Sequence, residues 1–277
     1  MSIFSRSHSQ PAPAPAAQPP AEAAAPRFLI EAEVLTDVGC VRDHNEDCVS
    51  VVHEHNSHGD RALIVVADGM GGHNAGEGAS AAAVKLLEEA FANLRNEPAA
   101  RLKSAFIDAN AKIFKQSAEQ AEMRGMGTTC TALLLQDGFG YSAHVGDSRL
   151  YLIRNGSIYQ MSEDHSAVME LVTLGEITME QARHHPDKNV ITRSLGGREQ
   201  VEVSTWTRPM RLLAGDRFLL CSDGMYDLVE DEEICKVTAE YSPLNACRQL
   251  VDIARQRGGG DNISVAIAEL KQLDHAN

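Results

Sequence analysis

The chain has 277 residues, with 39 Asp or Glu against 25 Lys or Arg and a formal net charge of −14. That balance excludes the basic stripe of a general nucleic-acid binder, and no apolar run reaches the ~20 residues of a membrane-spanning helix. A soluble protein is expected, with an acidic excess able to gather around divalent cations.

From Gln10 to Pro26 the sequence is almost entirely Ala, Pro and Gln. Such a stretch cannot bury a core and lacks the apolar segment of a secretory signal, so residues 1–27 read as a disordered tail. The roughly 250 residues that follow suit one domain with its own core, taken as 28–272, with a short tail at 273–277. Six cysteines (Cys40, Cys48, Cys130, Cys221, Cys235 and Cys247) form no C-x-x-C pair and sit mostly in apolar stretches. They read as buried free thiols in a reducing compartment, which makes the cytoplasm the expected location.

Ala32–Thr36 is the first predicted strand, closed by the turn Asp37-Val38-Gly39. A polar cluster, Arg42-Asp43-His44-Asn45-Glu46-Asp47, leads directly into a second strand, Cys48–Val52. A guanidinium fork five positions before a carboxylate can hold a tetrahedral oxyanion and a cation ligand in one pocket, although a solvated hairpin approach accounts for the same residues. His53–Asp60 reads as an exposed loop. Leu63–Ala67 is an apolar run of the sheet-core kind, closed by Asp68-Gly69-Met70-Gly71-Gly72-His73. A carboxylate there sits on a rigid element, and the glycines let main chain approach whatever it holds. Two helices follow, Ala75–Leu94 and Ala99–Ala121, whose apolar faces read as core.

Met126–Leu135 predicts a strand, and Asp137-Gly138 turns it towards Tyr141–Val145. Gly146-Asp147-Ser148-Arg149 repeats the strand-end pattern before Leu150–Ile153 and a turn to Ile158-Tyr159. From 163 to 193 the periodicity weakens. Short helices at Ala167–Leu174 and Thr178–Arg183, then the polar run His184–Asn189, read as a mobile insertion beside the site. His165, His184 and His185 lack the spacing of a closed zinc site and read as surface histidines. Strands at Val201–Trp206 and Arg217–Cys221 come next, the latter closed by Ser222-Asp223-Gly224. Helices Glu230–Thr238 and Pro243–Gln256 precede Gly258-Gly259-Gly260-Asp261-Asn262 and a last strand, Ile263–Ile267.

Asp47, Asp68, Asp147, Asp223 and Asp261 all mark strand starts or ends, four of them beside glycine. A shared rim would bring them together, and carboxylates so crowded raise one another's pKa unless cations neutralise them. Hard oxygen donors without thiolates select Mg²⁺ or Mn²⁺ over zinc. Two such ions side by side would supply a bridging hydroxide and polarise a phosphoryl oxygen. The residues alone therefore point to metal-dependent hydrolysis of a phosphoryl group.

Taken jointly, Arg42 with Asn45-Glu46-Asp47, Asp68-Gly69-Met70-Gly71-Gly72, Gly127-Thr128-Thr129, Gly146-Asp147-Ser148-Arg149, Ser222-Asp223-Gly224 and Asp261-Asn262 resemble the bacterial PP2C-type (PPM family) metal-dependent protein serine/threonine phosphatases. The likeness spans 36 to 267 in the family's order. It implies an α+β fold, a four-layer αββα sandwich of two antiparallel sheets flanked by helices, with the metal centre at one end. It implies that Asp47, Asp68, Asp223 and Asp261, with the Gly69 carbonyl, hold two Mn²⁺ or Mg²⁺ ions, and that Arg42 binds the substrate phosphate. Asp147, with Asp223 and Asn189 as further candidates, would hold a third, weaker metal, and residues 163–193 would be the family's flap. The implied reaction is direct attack on phosphoserine or phosphothreonine in proteins, without a covalent phosphoenzyme. The implied setting is signalling by a monomer that opposes a cognate bacterial Ser/Thr kinase.

One departure bears on mechanism. Some members carry a histidine right after the central Asp-Gly as the acid for the leaving group, and here that residue is Met70. His44, His73 and a metal-bound water are the alternatives. Two other readings stand beside the main one: a regulatory phosphatase of partner-switching proteins, and a catalytically silent phosphoprotein-binding module. Loss of an aspartate would mark the silent module, and none of the five is missing.

Overall fold

The computed structural model describes residues 27–55, 59–71, 75–119, 123 and 125–273. The expected disordered tail up to residue 26, Gly72, His73 and residues 274–277 lie outside the described residues. In chain order, β1 (Phe28–Asp37), β2 (Asp47–Glu54) and β3 (Arg61–Met70) lead to helices α1 (Ala75–Ala90) and α2 (Pro98–Glu119), with a 3₁₀ turn (Phe91–Arg95) between the helices. Then come β4 (Gly127–Thr128), β5 (Cys130–Gln136), β6 (Phe139–Val145), β7 (Arg149–Arg154) and β8 (Ser157–Gln160). Helices α3 (Ala167–Thr173) and α4 (Met179–Arg183) precede the short strands β9 (Ser204–Thr205) and β10 (Met210–Arg211) and the longer β11 (Arg217–Cys221). The chain closes with α5 (Asp223–Tyr226), α6 (Asp231–Glu240), α7 (Pro243–Gln256) and β12 (Ile263–Gln272).

Two antiparallel sheets form, ordered β1-β12-β11-β7-β8 and β10-β6-β5-β3-β2, with β4 added to β3 and β9 to β6. Side-chain alternation along the central strands makes the layers. On β3, Ile64 and Val66 meet Leu133 of β5 and, from the facing sheet, Leu152, Phe218, Leu220 and Ala266. The alternate residues Leu63, Val65 and Ala67 pack under Ala83 and Leu87 of α1 and Phe106 and Ile113 of α2. The other sheet repeats this, with Leu219, Val265 and Ile267 turned towards Ile234, Leu250 and Val251 of α6 and α7. Helix, sheet, sheet and helix are therefore separated by three apolar seams, and each fully buried large aliphatic in them contributes about 1.5–3 kcal/mol. This is the expected αββα sandwich.

Several boundaries differ from the sequence reading for tertiary reasons. β1 starts at Phe28 because it pairs with β12 along its whole length, Phe28 opposite Gln272 and Asp37 opposite Ile263. The strand read over 126–135 breaks at Thr129, whose N–H donates to the Asp68 carbonyl (2.8 Å), so that β4 joins the tip of β3. The helix read to Leu94 ends in the 3₁₀ turn. Only Ser204–Thr205 of the strand read over 201–206 is extended, on the free edge of β6. The loop read as exposed includes Asp60, whose buried carboxylate accepts the Ile30 N–H (2.8 Å) and pairs with His53 and His55. All six thiols are free, but Cys40 is exposed and Cys48 and Cys235 are half-buried, so only Cys130, Cys221 and Cys247 fit the buried reading.

Candidate active site

Strand register brings the first two carboxylates together. Asp47 opens β2 directly opposite Asp68 near the end of β3. The Asp68 N–H donates to Thr129 Oγ1 (2.9 Å), and its carbonyl accepts from Thr128 Oγ1 (2.9 Å). One residue on, the Gly69 N–H donates to the Glu46 carbonyl (3.1 Å), which also accepts from Ser80 Oγ of α1 (2.6 Å). A Cβ on Gly69 would lie 2.2 Å from the Gly76 carbonyl oxygen and 2.4 Å from that of Glu46. Three main-chain segments close on the strand tip there, and glycine is what allows it.

The facing sheet supplies the rest. Asp223 begins α5 two residues after β11 ends, and Asp261 stands two residues before β12. Ser222 Oγ reaches across the sandwich to donate to Asp47 Oδ2 (2.8 Å) while accepting the Ser264 N–H (3.0 Å). Asn262 fastens the polar loop before β2: its Oδ1 accepts the Glu46 N–H (2.8 Å), and its Nδ2 donates to the carbonyls of Val38 (3.0 Å) and His44 (2.9 Å). Asp261 accepts its neighbour's N–H on Oδ1 (2.8 Å) and the Arg42 guanidinium on Oδ2 (2.8 Å). Asp147 lies in the corner between β6 and β7 and is buried.

These groups form one electrostatic cluster. Burial, then repulsion from Asp47, Asp223, Asp147 and Asp261, holds Asp68 well above the usual carboxylate range. Burial pushes Asp47 up to about 6, against the hydroxyl hydrogen bonds of Ser264 and Ser222. Burial and the charges of Asp261 and Asp227 raise Asp223 to about 7. Asp147 is likewise raised, by burial and then by Asp223 and Asp164. Among the described residues no group of three His, Cys, Asp or Glu side chains stands as a closed metal cage, since Asp47 is turned to Ser222 and Asp261 to Arg42. Yet Asp147 Oδ1 and Asp223 Oδ1 are buried with no hydrogen-bond partner. A buried acceptor left bare is costly, and a divalent cation is the partner that also relieves the crowding. Hard oxygen donors of this kind fit Mg²⁺ or Mn²⁺.

The other expected residues fall as follows. Arg42 is exposed and held by Asp261, which keeps its guanidinium pKa high, so the remaining N–H donors are open to an oxyanion. Asn189 is exposed after α4, and among the described residues no hydrogen bond joins it to Asp147 or Asp223. Its neighbour Lys188 pairs with Asp227, and Arg183 with Glu230 (2.7 Å), tying the 163–193 segment to the end of α5 and the start of α6. His44 is exposed and meets this network through its carbonyl. The surface reading holds for His184 but not for His165, which is buried. Ser222, Asn262, Thr128 and Thr129 carry positioning roles that their sequence neighbourhood does not disclose, because each bonds a segment distant in the chain. Arg149 is also structural: it grips Asp164 through Nε (3.0 Å) and Nη2 (2.7 Å) and stacks over the Tyr226 ring at 3.7 Å.

Known proteins share this sequence and this fold. The family described as protein phosphatase 2C matches residues 42–257. The serine/threonine phosphatase Stp of Listeria monocytogenes is 37% identical over 246 residues, 87% of this chain and 96% of the relative. The crystal structure of the Mycobacterium tuberculosis serine/threonine phosphatase PstP/Ppp superposes with a TM-score of 0.80 at 36% identity, covering 88% of this chain and 99% of that one. The catalytic domain of PstP, solved in complex with two manganese ions, gives 0.77 at 35% identity, covering 88% of this chain and 100% of that one.

Proposed function

The chain belongs to the protein phosphatase 2C family, and on that premise we propose that it is a metal-dependent phosphatase acting on phosphoserine and phosphothreonine in proteins. Residues 28–272 form its catalytic domain. Asp47, Asp68, Asp223 and Asp261, with the Gly69 carbonyl, are the ligands of two Mn²⁺ or Mg²⁺ ions, and Asp147 with Asp223 holds a third more weakly. The observation that carries this reading is the convergence of five aspartates from both sheets with two bare buried oxygens among them.

Bound there, the ions supply Lewis acidity, lowering the pKa of an attacking water and drawing charge off the phosphoryl oxygens. The chain's own residues set the geometry. Ser222 holds the Asp47 carboxylate in place from the facing sheet through Oδ2. Thr128 and Thr129 fix the main chain on both sides of the Asp68 side chain. Arg42 lends its free N–H donors to the non-bridging oxygens of the substrate, a charge-assisted contact that strengthens as negative charge builds in the transition state. Met70 cannot protonate the leaving alkoxide, so that proton comes from His44, His73 or solvent.

Free thiols favour a reducing cytoplasmic setting, and we assign the protein there as a monomer opposing a Ser/Thr kinase. Among the described residues no helix is long and apolar enough to cross a membrane. All five aspartates are retained and the relatives are named serine/threonine phosphatases, so neither the silent binding module nor the partner-switching regulator is favoured. Hydrolysis of p-nitrophenyl phosphate and a phosphothreonine peptide with Mn²⁺, Mg²⁺ or EDTA tests the proposal. Turnover should vanish in EDTA and in Asp68→Ala, and Arg42→Ala should raise KM roughly 10- to 100-fold, the loss of one or two charge-assisted bonds. Folded wild-type protein without turnover in any metal would sink the enzyme reading.

A further inference from the structure

Two buried histidines behind Asp147 are unused by this account. The rings of His144 and His165 have centroids 4.8 Å apart and planes tilted by 38°. Burial pushes both pKa values down, His144 to about 4 and His165 to about 3, the latter helped by its neighbour and by Arg193. Both rings are therefore neutral, and their hydrogen bonds define what they hold. The His144 Nε2–H donates to the Glu163 carbonyl (3.1 Å), at the start of the 163–193 segment.

His165 grips Gly146 from both sides. Its main-chain N–H donates to the Gly146 carbonyl (2.7 Å), and its Nδ1 accepts the Gly146 N–H (3.0 Å). Because Nδ1 must accept, the ring proton sits on Nε2, 2.9 Å from Ser204 Oγ. Gly146 has φ +112°, and a Cβ there would meet Thr129 Cβ at 2.5 Å, so this peptide has little latitude. The next residue is Asp147, with its bare buried Oδ1. The His165 carbonyl in turn accepts the Thr192 N–H (2.8 Å), and Ala167 donates to the Val190 carbonyl (2.8 Å). The return limb of the 163–193 segment is thus stitched to the residue that clamps Gly146.

We propose that His165 is a positioning residue: by holding both polar groups of Gly146 it aims the Asp147 carboxylate and ties that aim to the 163–193 segment. This rests on the reading of Asp147 as a ligand of the weaker third metal. A side chain that merely fills space would affect stability and leave metal affinity alone. A side chain that aims a ligand changes one metal-binding step and is replaced by any group offering an acceptor at the same place.

The test is Mn²⁺ binding to the full-length protein by calorimetry and by electron paramagnetic resonance of free Mn²⁺, without substrate. His165→Asn puts an amide oxygen where Nδ1 was, His165→Gln reaches only the Nε2 position, and Asp147→Asn is the reference. Asp147→Asn should abolish the weakest step. His165→Gln should weaken that step about tenfold, the usual cost of losing an outer support, with the two tight steps unchanged and His165→Asn within about threefold of wild type. If Asp147→Asn loses the step while His165→Gln keeps it, or if Asn and Gln weaken it equally, the positioning role is overturned. If Asp147→Asn keeps the step, the assignment of Asp147 itself is what fails, and the inference goes with it. Should His165→Gln not fold, Ser204→Ala, which removes the hydroxyl at Nε2 and leaves only the longer Arg193 contact (3.5 Å), is read in its place: about threefold weakening of the same step supports the role, and an unchanged step overturns it.

Discussion

Replacing Asp47 by Asn isolates the cost of crowding carboxylates at this rim. In metal-free protein the Asp47 carboxyl is pushed from 3.8 up to about 6, chiefly by burial. A displacement of that size corresponds to about 3 kcal/mol. The folded chain holds this proton more tightly than the unfolded chain, so ionisation weakens the fold progressively as pH rises from about 4 through 6, and the full penalty is present at pH 8. Asn cannot ionise, yet its Oδ1 still accepts the Ser222 hydroxyl. In EDTA the variant should therefore gain on wild type by about 2 kcal/mol between pH 4 and pH 8. Urea unfolding followed by circular dichroism at pH 4, 6 and 8 measures this; subtracting the two proteins at each pH cancels the titrating groups outside the rim, while loss of the Asp47 charge eases the ionisation of Asp68 and Asp223 and acts in the same direction. With saturating Mn²⁺ at pH 8 the order should reverse, because wild type regains a ligand that the variant lacks. A difference that stays constant with pH in EDTA would refute the reasoning, since Asp47 would then not be a desolvated, crowded acid.

Gly69→Ala forces a methyl against the carbonyl oxygens of Gly76 and Glu46 at 2.2 and 2.4 Å. The strand tip must move, and kcat/KM at saturating Mn²⁺ should drop about 100-fold with the far-ultraviolet dichroism retained, as expected for a misplaced catalytic frame. Acidification from pH 6.5 towards 4 should cost wild type about 3 kcal/mol through His144, because the unfolded chain takes a proton that this buried ring, with its pKa near 4, refuses. His144→Gln should flatten that acid limb in urea titrations; an equal slope would remove His144 as its cause. Phe106→Ala empties a fully buried site in the helix-to-sheet seam and should cost about 3–5 kcal/mol by denaturant titration, with kcat unchanged wherever the variant is folded.

Much of this could be read from the sequence because the chemistry sits at strand ends. The runs Leu63–Ala67 and Arg217–Cys221 are apolar enough to fix two core strands, so the aspartates closing them were bound to lie on a sheet rim. Asp147 and Asp261 followed from the same pattern of glycine beside a strand. What stayed hidden depends on contacts between distant segments. Nothing near Ser222 indicates that its hydroxyl belongs to Asp47, 175 residues away. Asn262 gives no sign that it holds the main chain of Glu46, Val38 and His44 together. His165 read as a surface residue because its surroundings are polar and weakly periodic; its burial comes from Gly146, Ser204 and the return limb at Thr192. The strand misread over 201–206 has the same origin: its alternation is real, but pairing exists only where β6 leaves an edge free.

The acidic rim and the large core belong to one argument. Four aspartates held above their ordinary pKa weaken the metal-free fold, and the seams on both sides of each sheet outweigh that cost without relieving it. Side-chain contacts alone would leave such a rim free to splay. Here the repelling groups are carried on main chain that cannot separate: Gly69 is wedged between Gly76 and Glu46, a Cβ on Gly224 would lie 2.1 Å from the Asn262 carbonyl oxygen, and a Cβ on Gly39 would lie 2.2 Å from that of Asp261. Repulsion is thus stored at fixed spacing instead of being relaxed by movement. Cation binding then recovers free energy that the fold has already set against its own stability, so metal affinity and metal-free instability should rise and fall together across variants of these four aspartates.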